Sequence, residues 1–247
     1  LIIMSGYFKV KGYRIPRVLL GTSPFIGAGQ FGSRAFRYYL KFFGKPESVR
    51  EVALKSFELG VRGVQILPYS WVYRGIESAV RDFGDEIVIV GTMLPDELEK
   101  SIDRLDKLGA IAVLVHASLV DLMSEDVLVR ALRLAGRSAP ITGIVTHSPA
   151  KVIPWIKKCN LEIDLVLAPL NKYGHLMDLR PDEAVNLYRE LGIPIIAKKV
   201  LGAGRIEPRE ALEFIARSKC VDGVAIGVAS VEEAEETFSI ALKLINW

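Results

Sequence analysis

The chain has three histidines, and each closes or closely follows an apolar run. His116 ends the run 110–115, His147 ends 141–146, and His175 follows 163–171 by one short step. Imidazole is the side chain whose ordinary pKa lies nearest neutrality, so groups placed this way can trade protons at neutral pH. Such runs read as buried parallel strands, and the strand ends of a (βα)8 barrel converge on one mouth. The spacing therefore predicts that at least two of the three histidines face one pocket. Lys198 and Lys199 end a further apolar run, and alternation along a strand sends one of them to the barrel interior or rim. A lysine desolvated there has a lowered pKa and can form a Schiff base; the alternative is a surface lysine beside one that binds an anion.

Two loops suggest what a substrate or cofactor carries. Leu201-Gly202-Ala203-Gly204-Arg205 follows the seventh predicted strand, and Gly227-Val228-Ala229-Ser230 follows the eighth and leads into a helix. Loops after strands seven and eight of this architecture recurrently hold phosphate. Glycines let the backbone approach an anion, free N–H groups point at it, and Arg205 offers a bidentate contact. The alternative is plain turn chemistry with Ser230 as a helix N-cap. Tyr69, Trp71 and Tyr73 follow the second strand, either as an aromatic wall for a small molecule or as packing between helix and rim; Tyr73 can also serve as an acid. Three histidines raise the question of zinc. No H-x-H follows the first strand and no carboxylate ends one, since Asp121, Glu125 and Asp178 lie in loops, so a metal is not expected.

These residues need a scaffold, and strand and helix signals alternate along the whole length. Strands are predicted at 18–23, 63–67, 87–93, 111–116, 141–147, 163–170, 193–200 and 223–228, as continuous Val/Ile/Leu runs covered on both faces. Helices are predicted at 47–59, 95–108, 124–135, 181–191, 208–218 and 231–245. Gly60, Gly84, Gly109, Gly136 and Gly192 follow helical patterns where a left-handed C-cap is wanted, and Pro95, Pro149, Pro181 and Pro208 sit at first-turn positions. The fold class is α/β, a (βα)8 TIM barrel of one domain over 1–247, with a doubly wound open sheet as runner-up. Residues 7–17 alternate around Gly12 as a hairpin that plugs the barrel bottom. Residues 22–46 form a long first βα loop rich in Gly and aromatics: a lid or binding loop, or a mini-helix at 33–43 packing over the rim.

Composition narrows the partners. A formal charge of +3 and the lack of an Arg/Lys stripe interleaved with aromatics argue against nucleic acid. No apolar run of membrane-spanning length lacks charges or glycine, and residues 1–4 are too short for a signal-peptide core, so a cytoplasmic protein is expected. Cys159 and Cys220 have no metal-type or C-x-x-C spacing and read as reduced thiols. With Gln30 and Gln65 the only glutamines among abundant Lys, Arg and Glu, a thermophilic source is suggested. The expected partner is a small, anionic molecule. Oligomeric state is not readable.

Taken together, several segments resemble the aldo-keto reductase superfamily over nearly the full chain. The hairpin running into Val18-Leu19-Leu20-Gly21-Thr22-Ser23, the passage from 53–60 into Val61-Arg62-Gly63, Val72-Tyr73 with Glu77-Ser78, Leu114-Val115-His116, Ala168-Pro169-Leu170-Asn171 and the stretch from Ile226 to Glu232 are similar to that family in order and spacing. The resemblance implies a reductase of a small anionic carbonyl or sugar-type substrate using NADP or NAD, with Tyr73 and His116 as catalytic groups and Gly202, Gly204, Arg205, Gly227, Ala229 and Ser230 around the cofactor phosphates. The family's Asp and Lys positions read Pro68 and Met93, its strand-six glutamine reads Leu167, and the ring that stacks on nicotinamide is replaced by Lys198. Without that lysine, a tyrosine loses the charge that lowers its pKa. Two rival chemistries follow from the residues themselves: a nicotinamide-free Schiff-base lyase or isomerase on a phosphorylated substrate, using Lys198 or Lys199 with His116 or His147, and a hydrolase with a metal on the histidines. A ligand-binding barrel without catalysis is the fourth reading.

Overall fold

The computed structural model describes residues 6–246, so the segment 1–4 weighed above lies outside the described residues. Eight parallel strands close into a barrel: β3 (Val18–Gly21), β4 (Gly63–Ile66), β5 (Val88–Met93), β6 (Ala112–Val115), β7 (Ile141–Val145), β8 (Leu165–Pro169), β9 (Ile195–Lys198) and β10 (Gly223–Gly227). The seam joins β10 to β3, in register from Val224–Val18 to Gly227–Gly21. All eight predicted strands are present, and each ladder is shorter than its apolar run. Burial outlasts hydrogen bonding at both ends: Ile163 and Val200 are buried although the ladders begin at Leu165 and end at Lys198. Lys199 turns to φ 58° and so stops β9.

Side chains alternate across the barrel wall. Leu19, Val90, Leu114, Ile141, Leu165 and Ile196 fill the interior, whereas Val18, Leu20, Ile89, Val113 and Ile195 pack against the outer helices. The helices are α1 (Ser33–Phe42), α2 (Pro46–Glu58), α3 (Ser70–Phe83), α4 (Leu98–Lys107), the short α5 (Ala117–Val120), α6 (Glu125–Ala135), α7 (Pro149–Lys158), α8 (Pro181–Arg189), α9 (Pro208–Ser218) and α10 (Val231–Leu244). Pro149, Pro181 and Pro208 open their helices as expected. Pro95 instead lies ahead of α4, which starts at Leu98. Four of the five predicted C-cap glycines take positive φ, while Gly136 stays right-handed at φ −66°.

The hairpin of β1 (Tyr7–Val10) and β2 (Tyr13–Pro16) closes the barrel bottom. Phe8, Val10 and Ile15 join the interior cluster beneath Leu19 and Leu114. Lys11 at its turn reaches across to Asp164 at 2.8 Å and to the Pro140 carbonyl at 3.3 Å. The bottom is thus sealed by apolar side chains, and the open end is the rim where the strands finish. The long loop at that rim carries α1. Phe42 is fully buried against Phe25 (centroids 4.8 Å), while Phe36 and Leu40 remain exposed.

Candidate active site

A cavity of about 260 Å³ opens at the rim, walled by the ends of the barrel strands and by the loops after β3, β9 and β10. His116, His147, Lys198 and Lys199 all line it. Its deeper wall carries Gln65 and Thr92, whose side chains point inward from β4 and β5 and bond to each other, Gln65 Nε2 donating to Thr92 Oγ1 at 2.9 Å.

His116 is the N-cap of α5. Its Nδ1 accepts the Ser118 backbone N–H at 3.1 Å and lies 2.9 Å from Ser118 Oγ. A ring nitrogen that accepts an N–H carries no proton, so neutral His116 holds its proton on Nε2. Burial, and secondly the charge of Lys198, hold its pKa below the ordinary value. His147 follows β7 and is positioned through the backbone. Asp121, which caps the other end of α5, accepts from His147 N at 3.1 Å and from Thr146 Oγ1 at 2.6 Å. Enclosure at the rim, then the charges of Lys198, Lys199 and His116, push the His147 imidazole down as well. Both histidines are therefore neutral at pH 7.

Lys198 is the last residue of β9, in register with Pro169. Desolvation lowers its pKa well below that of a free lysine; Lys199 adds to the shift and Asp121 opposes it. Lys199 also lines the cavity, but its Nζ donates to the Leu176 carbonyl at 3.2 Å. His175 stays outside. Its loop is tied by Asn171, whose Oδ1 accepts from His175 N and whose Nδ2 donates to His175 O, both at 2.9 Å. Two of the three histidines thus share the cavity. Among the described residues, no three His, Cys, Asp or Glu side chains gather as a metal site.

Tyr73 is not a cavity residue. It lies on α3, and its hydroxyl donates to Glu77 Oε1 at 2.5 Å, one turn along the same helix. Burial first, and then the Glu77 carboxylate, push its pKa up to about 12. Tyr69 and Trp71 are packing residues: Trp71 sits 4.7 Å from Phe43 of the α1 region and donates to the Phe25 carbonyl at 2.9 Å.

The two loops after β9 and β10 divide. Gly204 and Gly227 line the cavity, whereas Gly202, Arg205, Ala229 and Ser230 do not, and Arg205 is exposed. Ser230 caps α10 by accepting Glu233 N at 3.1 Å, and Glu233 Oε2 accepts the Ala229 N–H at 2.7 Å. The helix terminus is capped from within, and the Glu233 and Glu236 side chains line the adjoining wall. Sequence reasoning missed Gln65, Thr92, Glu233 and a cation from α1, Arg34, which lines the same wall. The first two had a signal: polar residues at inward-facing phase in otherwise apolar strands.

No protein-family model matches the chain, and no curated protein matches it in sequence. Solved structures do. An aldo-keto reductase from Brucella melitensis superposes with a TM-score of 0.67 at 15% identity, over 97% of this chain and 93% of that one. An aldo-keto reductase from a Medee basin deep-sea metagenome gives 0.68 at 11% identity, over 97% and 94%. The Bombyx mori aldo-keto reductase, in complex with NADP, gives 0.65 at 14% identity, over 96% and 88%. The fold is that of the aldo-keto reductases. On that barrel, Pro68 and Met93, matched above to the family's Asp and Lys, do not face the cavity; the cavity-lining side chains of the same two strand ends are Gln65, Leu67 and Thr92. Met93 is buried in the layer between strands and helices. Leu167 does line the cavity, at the position matched to the family's glutamine.

Proposed function

We propose that this chain is an aldo-keto-reductase-like barrel enzyme acting on a small anionic carbonyl compound, and that it acts through the amine of Lys198. The observation that carries the reading is the company Lys198 keeps: it stands in the cavity with His116 and His147, while the Tyr73 hydroxyl is bound to Glu77 outside it. A desolvated lysine gives up its proton more readily than a free one, and the unprotonated amine is the nucleophile. Its nitrogen lone pair adds to the substrate carbonyl carbon, and the C=O π electrons move to oxygen. His116 Nε2–H, aimed away from its Ser118 contact, passes its proton to that oxygen while the new ammonium nitrogen gives one of its two protons back to the ring, leaving a neutral carbinolamine and a neutral imidazole. Loss of the hydroxyl as water, taking one proton from solvent, leaves a protonated imine. The imine draws electrons from the neighbouring carbon, where neutral His147 accepts a proton. That sequence serves a lyase or an isomerase.

The neighbours crystallised with NADP and NADPH raise the nicotinamide route for this chain. The residues at its rim do not fit a dinucleotide as they are arranged. The amide at Ala229 is already taken by Glu233, two carboxylates line the wall where a pyrophosphate would lie, and a lysine stands at the position matched to the ring that stacks on nicotinamide. Like charge on that exposed wall disfavours such a ligand. The test is reductive trapping: protein, a small carbonyl such as hydroxyacetone and cyanoborohydride, followed by intact mass and peptide mapping, with an NADPH fluorescence titration alongside. One adduct on Lys198, lost in Lys198→Met, is expected. No adduct, an adduct unchanged in Lys198→Met, or NADPH-dependent turnover lost on Tyr73→Phe would overturn the reading.

A further inference from the structure

The helix α1 belongs to no βα unit; it lies in the loop between β3 and α2 and reaches back over the rim. Two cations strap it to the loops it crosses. Arg34 Nη2 donates to the Ala203 carbonyl at 2.7 Å, after β9, and Lys41 Nζ donates to the Ala229 carbonyl at 2.8 Å, after β10. The Arg34 guanidinium lies flat against Gly204. A methyl built there would stand 2.4 Å from Nη2 and 2.6 Å from Nη1, and the backbone at φ 78° independently favours glycine. A residue of any other type at 204 would move the guanidinium.

Arg34 also lines the cavity and has the Tyr38 hydroxyl within hydrogen-bonding reach. Among the described residues, Arg34 forms no ion pair. Glu233, on the same wall, has one carboxylate oxygen bound to the Ala229 amide. The other cavity cation on this side, Lys199, is tied to the Leu176 carbonyl. A guanidinium keeps its charge throughout the physiological range and presents five donors in a plane. One is given to Ala203, and the rest have no carboxylate partner in the fold.

We propose that Arg34 reads the negative group of the substrate, and that this group is a compact carboxylate on the carbonyl compound that Lys198 attacks. Glu233 and Glu236 on the same wall set the size limit: a single carboxylate fits beside the guanidinium, whereas an extended polyanion meets both acids. Charge-assisted, bidentate pairing with a planar carboxylate is the geometry arginine favours over lysine. The carbonyl half of this inference rests on the lysine reading above; the anion half stands on α1 alone.

The test compares two ketones of similar size, pyruvate and hydroxyacetone, in cyanoborohydride trapping of the full chain. Wild type is expected to be labelled at lower concentrations of pyruvate than of hydroxyacetone. Arg34→Gln should lower the pyruvate preference about tenfold, the worth of a charge-assisted hydrogen bond. Gly204→Ala, which displaces the guanidinium without removing it, should lower it in the same direction, and Arg34→Lys should restore part of it. An unchanged pyruvate preference in Arg34→Gln overturns the inference while leaving the lysine chemistry standing. If neither ketone labels wild type, the lysine reading fails, and Arg34 is judged by calorimetry with pyruvate alone: equal affinity in wild type and Arg34→Gln, or no binding by either, overturns the anion site.

Discussion

Gly143 and Gly91 make a matched pair of perturbations. Gly143 lies on the interior phase of β7, between Ile141 and Val145, and a methyl built on it would stand 2.1 Å from the Leu165 carbonyl oxygen and 2.7 Å from Leu114 Cδ2. The first of these is backbone in the neighbouring strand, so β7 and β8 must part by more than about 1 Å to reach ordinary carbon–oxygen contact, about 3.3–3.6 Å. Overpacking of this kind costs about 1–3 kcal/mol, and the relief from replacing glycine in a strand is about 0.5–1 kcal/mol. With a rigid obstacle, the upper end applies, for a net loss of about 2 kcal/mol. At Gly91 the methyl would meet Leu105 Cδ2 at 2.3 Å, Cδ1 at 2.5 Å and Cγ at 2.9 Å, all in one buried side chain on α4 whose χ angles can give where a backbone atom cannot. An off-rotamer leucine costs about 0.5–1.5 kcal/mol, nearly balanced by the same glycine relief. For a chain of this size, about 2–4 °C of Tm accompanies each kcal/mol. Scanning calorimetry should therefore show Gly143→Ala melting about 4–8 °C below wild type and Gly91→Ala within about 3 °C of it. Val145 and His147 continue the strand that must move, so trapping at Lys198 should weaken further in Gly143→Ala at temperatures where both variants are folded. If Gly91→Ala melts at or below Gly143→Ala, the argument from rigid against yielding neighbours is wrong.

Two further outcomes follow from the site. The unfolded chain binds a proton at Lys198 that the desolvated amine in the fold gives up, so this residue makes stability rise with pH from the lowered folded pKa up to the ordinary lysine value of about 10.4. Lys198→Met should accordingly be more stable than wild type in urea at pH 7, with the difference closing toward pH 10.5; a less stable variant at pH 7 would mean that the amine is charged and paired in the fold. Tyr73→Phe loses one exposed hydrogen bond to Glu77 and should change stability by no more than about 0.5 kcal/mol while leaving Lys198 trapping unaltered, and a large drop in trapping would put Tyr73 in the cavity.

The eight strands were legible because a parallel sheet buried on both faces leaves unbroken apolar runs, and their ends named His116, His147 and Lys198. The placement of Tyr73 was also open to reading. Val72, Gly75, Ile76 and Ala79 form the buried stripe of α3, and helical phase sets residue 73 to one side of it. The capping of α10 by Glu233 follows the Ser-x-x-Glu spacing of Ser230 and Glu233, a signature of helix starts that competes directly with anion binding at the same amides. Arg34 was out of reach, because its contact with Ala203 joins residues 169 apart. Nothing in a local window says which strand-end loop a mini-helix will cross. The aromatics of 33–43 were ambiguous for a related reason: Phe42 is buried while Phe36, one and a half turns earlier, is exposed, so composition alone could not choose between lid and packing.

The chemistry of the cavity depends on what Asp121 does not do. It is the acidic group whose charge favours protonation of both Lys198 and Lys199, and a carboxylate paired directly with a lysine would hold that amine charged and inert as a nucleophile. Asp121 is held back by its own hydrogen bonds, with one oxygen accepting from Thr146 Oγ1 and the other from the His147 amide. The four-residue α5 makes this possible. It starts on His116, whose Nδ1 caps it by accepting the Ser118 N–H, and ends on Asp121, so one turn of helix fixes the proton of one imidazole and the backbone of the other. The acid therefore shapes the rim without forming an ion pair with Lys198. Lys198, Lys199, His116 and His147 line one cavity with little negative charge beside them, and desolvation makes Lys198 release its proton more readily than a free amine does. A barrel that carries its reactive group in this way does not require a tyrosine in the cavity, and the Tyr73 hydroxyl is correspondingly engaged by Glu77 along α3.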